Sequence, residues 1–181
     1  RIAEALEPGR SVMIPLLEFA DRDARGRRRE DRTLATLAGA HVGLFEPFVR
    51  ALNDEDQRAY WDSMIVEMRE SVAARPGAAG NLREAFVAIR GAEAADDLME
   101  MVLGYSAADI GATPDQIRTG ALLRLLQWMD SDQLDYRVLA SYNVTEITGM
   151  SGYRPTQNAS QRARSLRRYA ERLENGELRP K

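Results

Sequence analysis

Apolar positions along this chain recur at intervals of three and four almost throughout. The alternation that marks a strand is missing, so the pattern predicts an all-α protein. The predicted helices cover residues 2–7, 11–21, 29–40, 44–53, 56–74, 80–90, 92–105, 114–129, 133–148 and 158–175. Their borders carry chemical punctuation. Ser11 is placed to cap a helix start, Pro114 follows Thr113 at a first turn, and Gly9, Gly91, Gly149 and Gly176 fall where a helix end favours a left-handed residue. The short connections between these helices predict antiparallel neighbours.

Internal repetition separates a stacked array from a simple bundle. Leu16-Leu17-Glu18-Phe19-Ala20-Asp21 and Leu125-Leu126-Gln127-Trp128-Met129-Asp130 share Leu-Leu-x-aromatic-x-Asp. Each is followed by Arg-x-Leu-Ala, at Arg32-Thr33-Leu34-Ala35 and Arg137-Val138-Leu139-Ala140. A weaker copy ends at Asn53, and the spacing gives a period of roughly 35–40 residues. A helix, a turn with Asp, and an Arg opening the next helix resemble the HEAT/armadillo repeat. That resemblance implies an α-solenoid of antiparallel helix pairs, with Asp21, Arg32, Asp130 and Arg137 in a structural ladder. The alternative for the two arginines is anion binding. Leu44–Asn53, Val102–Ser106 and the Arg137–Pro155 region are also similar to helical modules near the ends of large bacterial proteins. This implies a fold and no chemistry.

Composition removes several function classes. The 181 residues include no Cys and one His, His41, so thiol nucleophiles, disulfides and thiolate or multi-imidazole metal sites are excluded. No apolar run reaches the ~18 residues of a membrane span, which predicts no membrane insertion in this segment. The chain opens on Arg1 and is read as part of a longer protein. It is expected in the cytoplasm by default, or outside it if a preceding region carries a signal or anchor.

Net charge is −3, but its distribution is uneven. Residues 1–32 hold 8 basic and 7 acidic groups, 33–153 hold 9 and 18, and 154–181 hold 8 and 3. This suggests an acidic repeat body, 1–153, closed by a basic capping helix and tail, 154–181, in the same domain. In the last helix Ala163, Leu166, Ala170 and Leu173 form an apolar seam, with Arg162, Arg164, Arg167, Arg168 and Arg172 on the remaining faces. These arginines, joined by Arg25, Arg27, Arg28 and Arg29, are the candidate partner- or anion-binding surface. The competing reading is a cap that closes the array.

Other features favour structural roles. Phe19, Phe45, Phe48, Trp61, Phe86 and Trp128 stand at helical spacing and are expected in the core rather than around a ligand. The acidic clusters at 54–56, 96–97 and 130–132 lack the twelve-residue spacing and central Gly of an EF-hand loop. They read as solvated turns, and no second feature marks any pair for acid–base work. His41 stands near a helix end and is placed to bond a terminal carbonyl. The sequons at Asn143 and Asn158 fall on helices and read as coincidence. Gly104-Tyr105-Ser106 and Gly152-Tyr153-Arg154-Pro155 lack a phosphate-binding pattern, and Tyr153 is expected to anchor the last helix. The sequence therefore points to a non-catalytic protein-interaction or scaffold module without cofactor, its partner a protein. Nucleic acid or another polyanion on the C-terminal helix is the alternative.

Overall fold

The structure, a computed structural model, describes residues 11–21 and 28–181. The predicted helix 2–7, Gly9, Arg25 and Arg27 lie outside the described residues. Elsewhere the chain is helical, and no strand occurs among the described residues. The helices are α1 (Met13–Ala20), α2 (Arg29–His41), α3 (Glu46–Leu52), α4 (Trp61–Ala74), α5 (Ala78–Arg90), α6 (Ala92–Leu103), α7 (Ala107–Ile110), α8 (Pro114–Thr119), α9 (Ala121–Met129), α10 (Leu134–Thr148) and α11 (Ala159–Glu174). A 3₁₀ turn, Glu55–Gln57, joins α3 to the segment before α4. The chain divides into two compact units, Arg1–Met99 and Glu100–Lys181, with the boundary inside α6.

In the first unit α2 packs against α1, α3 and α4, and α5 covers α3 and α4. Leu16 and Phe19 of α1 meet Ala35 of α2 and Leu44. Phe45, Phe48, Leu52, Met64, Ile65, Leu82 and Phe86 are fully enclosed. Each large side chain removed from water in this way contributes about 1.5–3 kcal/mol, which is why these short helices persist only in each other's company. Trp61 is buried and donates its indole N–H to the Ala51 carbonyl at 2.8 Å, so the polar edge of the ring is satisfied inside the core. Arg75 donates to the last carbonyls of α2, to His41 O at 2.5 Å and to Ala40 O. These are acceptors that a helix end leaves without intrahelical partners.

In the second unit α9 packs on α8, α10 and α11. Its core is Leu122, Leu125, Met129, Leu139, Val144 and Tyr169. Asn143 is fully buried and donates to Met101 O at 2.8 Å and Leu139 O at 2.7 Å, cross-linking α10 to the end of α6. At the end of α10 Gly149 adopts φ 72°, the left-handed cap that its place in the sequence predicts.

Three predicted helices are corrected. The 114–129 helix is broken at Gly120, whose ψ of −143° is extended and whose missing Cβ would lie 2.6 Å from the Gln116 carbonyl oxygen. The 56–74 helix starts only at Trp61, because the Asp54 carboxylate draws the Asp56 N–H at 3.0 Å and holds residues 55–57 in a 3₁₀ turn. The 92–105 helix ends at Leu103, followed by Gly104 at φ 83°. The stretch after it contains α7, set by a capping box in which Ser106 and Asp109 bond each other's backbone N–H. Trp128 leaves the core list as well. It is half-buried, with the Arg124 guanidinium 5.2 Å from its ring centre and Tyr136 edge-on at 6.0 Å.

Candidate functional site

The last helix is fastened at its start. Asn158 caps α11 by accepting from the Gln161 N–H at 3.0 Å. One turn on, Arg162 lies at 8% exposure against the turn between α9 and α10. Its guanidinium reaches Asp130 at 3.7 Å and Asp132 at 3.5 Å, and Nη1 donates to Gln157 O at 3.2 Å. Arg137 acts on the same turn, donating from Nη1 to Ser131 O and from Nε to Pro155 O, both at 2.7 Å. Tyr153 donates its hydroxyl to Met129 O. Burial pushes the Tyr153 phenol up to about 12.

Arg162 is therefore removed from the anion-binding surface expected of it, since its charge is enclosed and faces two carboxylates. Of the remaining arginines on α11, Arg172 contacts Glu177 at 3.9 Å. Arg164, Arg167 and Arg168 are exposed and make no ion pair among the described residues, although Arg168 lies over the Tyr169 ring at 5.9 Å. Arg28 is also exposed, and Arg29 is 3.6 Å from Asp56. Arg28 and Arg29 belong to the first unit, so the candidate arginines that are described fall into two groups, one in each unit.

The helix packs on a face rotated from the one expected. Arg162, Tyr169 and Leu173 are buried, whereas Ala163 and Ala170 are exposed and Leu166 is half-buried. The predicted seam Ala163, Leu166, Ala170 and Leu173 instead forms one wall of an open groove of about 580 Å³; Leu123 and Leu126 of α9 stand in its opposite wall. Its lips carry Arg118, Arg167, Asp130 and Glu174. Arg118 is paired with Asp115 and Asp130 with Arg162. Leu123 was not singled out in the sequence, but α9 holds Leu122, Leu123, Leu125, Leu126 and Met129, more apolar residues than one buried stripe requires.

The proposed ladder residues have definite places. In the first unit Arg32 donates from Nη1 to Asp54 at 2.6 Å, in the turn after α3, and both side chains are buried. Asp21, Arg32 and Asp54 line one cavity. In the second unit Arg137 braces carbonyls, and Asp130 contacts Arg162. His41 sits with Nε2 at 3.1 Å from Glu67 of α4. Among the described residues no three His, Asp or Glu groups converge so as to hold a metal ion, and no helix is long and apolar enough to cross a membrane. Compared with known proteins, the chain matches no family model, no curated protein and no solved structure.

Proposed function

We propose that the chain is a non-catalytic helical interaction module, of HEAT/armadillo-like stacking and part of a larger bacterial protein, that seats an amphipathic helix of a protein partner. The observation that carries this reading is the open groove between α9 and α11, walled by Leu123, Leu126, Ala163, Leu166, Ala170 and Leu173. Leu126 and Leu173 are the buried floor, while Leu123, Ala163, Leu166 and Ala170 stay accessible along the helix pair, a shape that receives i, i+3, i+4 anchors from a partner helix. The basic neighbours Arg164, Arg167 and Arg168 favour a partner helix whose flanks are acidic. Affinity would come from a few anchors buried against the leucines, with the arginines raising the rate of encounter.

The test places a photo-crosslinking residue at Leu123 or Ala170 of the chain in its host cell, with Arg58 of the first unit as the control position. The expected product is an adduct mapped to an acidic amphipathic helix, formed at the groove positions and lost with Leu166→Glu. Equal adducts at Arg58, or adducts that survive Leu166→Glu, would overturn the reading.

A second reading has its own observation, the three exposed arginines on α11, Arg164, Arg167 and Arg168, that make no ion pair among the described residues. They support a polyanion surface, for which binding to duplex DNA must fall steeply with salt and disappear when Arg164, Arg167 and Arg168 become Ala.

A further inference from the structure

Of the eight residues of α1, only Glu18 is polar. A helix that is apolar all round belongs in an interior, with cover on every side. The fold covers α1 on one side only. Leu16 and Phe19 are buried with Ala35 of α2 and Leu44, whereas Met13, Ile14 and Leu17 are 43%, 62% and 39% exposed. Leu17 comes four residues after Met13 and three after Ile14, so the three share the outer face as one ridge. The exposed Glu18 stands at its edge, one turn after Ile14.

The groove between α9 and α11 is a counterpart to that ridge in length and in charge. Its α11 wall runs from Ala163 to Leu173, about 15 Å, and the eight residues of α1 span about 12 Å. The groove is electrically polar along this length. The exposed Arg164 and Arg167 stand toward its Ala163 end, and Glu174 stands at its Leu173 end. Arg118 and Asp130 on the lips are paired with Asp115 and Arg162, so they leave that polarity in place. Helix α1 is polar in the matching sense: Glu18 and the negative end of the backbone dipole lie in its last turn, the positive end at Met13. Laid antiparallel to α11, it sets Glu18 beside Arg167 and its positive end toward Glu174. The sequence repeats the match on a larger scale, with 18 acidic and 14 basic groups in residues 1–99 against 10 and 11 in residues 100–181. We infer that the ridge of α1 docks in the α9–α11 groove of a second copy of this chain. This rests on the reading that the groove seats a partner helix, and it names where that helix comes from. Three anchors cover far less than the ~1,200 Å² of a stable interface, so the association is weak and reversible. Because the two surfaces differ, copies add head to tail unless the rotation closes a ring.

The full chain is followed by sedimentation from micromolar concentration to about 1 mM, the weak end of specific binding. Its mass should rise with concentration. Ile14→Glu and Leu166→Glu should each raise the dissociation constant at least about tenfold, and both replace accessible side chains, so the fold is retained. Arg167→Glu should weaken association several-fold, and adding Glu18→Arg in the same chain should restore it. Val66→Glu, at an exposed apolar residue of α4, is the control and should change nothing. A photo-crosslinker at Leu123 in a mixture of light and isotope-heavy copies should give mixed adducts that map to Met13–Glu18. A chain that stays monomeric to about 1 mM would overturn the inference, as would adducts formed only within one copy. So would association that survives Ile14→Glu, that falls equally with Val66→Glu, or that Glu18→Arg fails to restore. If the monomeric chain still captures another protein's helix at Leu123 in the cell, this inference falls and the groove reading stands; if neither adduct forms, both fall.

Discussion

Arg32 and Asp54, 22 residues apart, form a buried ion pair at 2.6 Å that ties α2 to the turn after α3. Both side chains are over nine-tenths enclosed; Asp54 also accepts from the Asp56 N–H and Arg32 stands 3.9 Å from the exposed Asp56 carboxylate, but the close contact each charge makes with the other is the one that offsets most of its burial. Arg32→Ala or Asp54→Ala should therefore cost the first unit about 3–5 kcal/mol, because the survivor is left charged and dry. Replacing the pair together by Met and Leu should cost far less. Urea unfolding of the single and double variants measures the difference, and equal losses in all three would show that the pair is not the source.

Arg137 joins two carbonyls that are otherwise far apart in sequence, those of Ser131 and Pro155. Arg137→Ala should destabilise the second unit by about 2–3 kcal/mol, within the range for hydrogen bonds from a charged donor. Lys, with a single donor head in place of the fork, should recover only part of this. Partner binding measured on the folded fraction should change little. A variant of normal stability that has lost binding would assign Arg137 to the interaction surface.

Tyr153 couples the second unit to alkaline pH. Its phenol titrates near 10 when exposed and is pushed up to about 12 by burial, while its hydroxyl donates to Met129 O. The folded state thus holds this proton more tightly than the unfolded state. The associated stability is complete below pH 10 and is lost as pH rises toward 12. Burial also raises Tyr169, and burial with the Glu100 carboxylate raises Tyr105, so the three phenols act in the same direction. Denaturant melts at stepped pH should show stability falling across this window. Tyr153→Phe should flatten part of that slope and lower stability at neutral pH by about 1 kcal/mol.

Gly120 is required by space. A methyl group there meets the backbone oxygen of Gln116, which cannot swing aside as a side chain would. Gly120→Ala should cost about 1–3 kcal/mol and disturb the α8–α9 junction, seen as hydrogen exchange at the start of α9. By contrast, Gly80 has open space around its missing Cβ and lies within α5, where Ala is the better helix former, so Gly80→Ala should stabilise.

These residues show what was legible in the chain and what was not. The helical class follows from the 3.6-residue apolar rhythm, and Thr113-Pro114 and Gly149 mark real helix borders because capping is a local event. Gly120 hid inside an apolar rhythm that continues across it, since periodicity registers which residues are apolar and is blind to a backbone turn of one residue. The face of α11 was rotated for a related reason. Pattern reading assigns every arginine to water, but Arg162 reaches carboxylates at Asp130 and Asp132, 30 or more residues away, and turns inward. The partner of Arg32 likewise lies across a fold contact that sequence spacing does not encode. The groove was half visible, as the seam of α11, while its other wall at Leu123 and Leu126 needed the packing of α9 to appear.

The way α11 is fastened has a mechanical consequence. Arg162, Tyr153 and Arg137 concentrate charged and polar grips around its first turn, whereas its far end is held by Leu173, Leu178 and the Lys181 N–H on Ile147 O. Tension applied at the tail would therefore load the far contacts first and the Asp130–Asp132 turn last. The helix would peel as a flap about that turn, and because it forms one wall of the groove, pulling on the tail would release whatever the groove held.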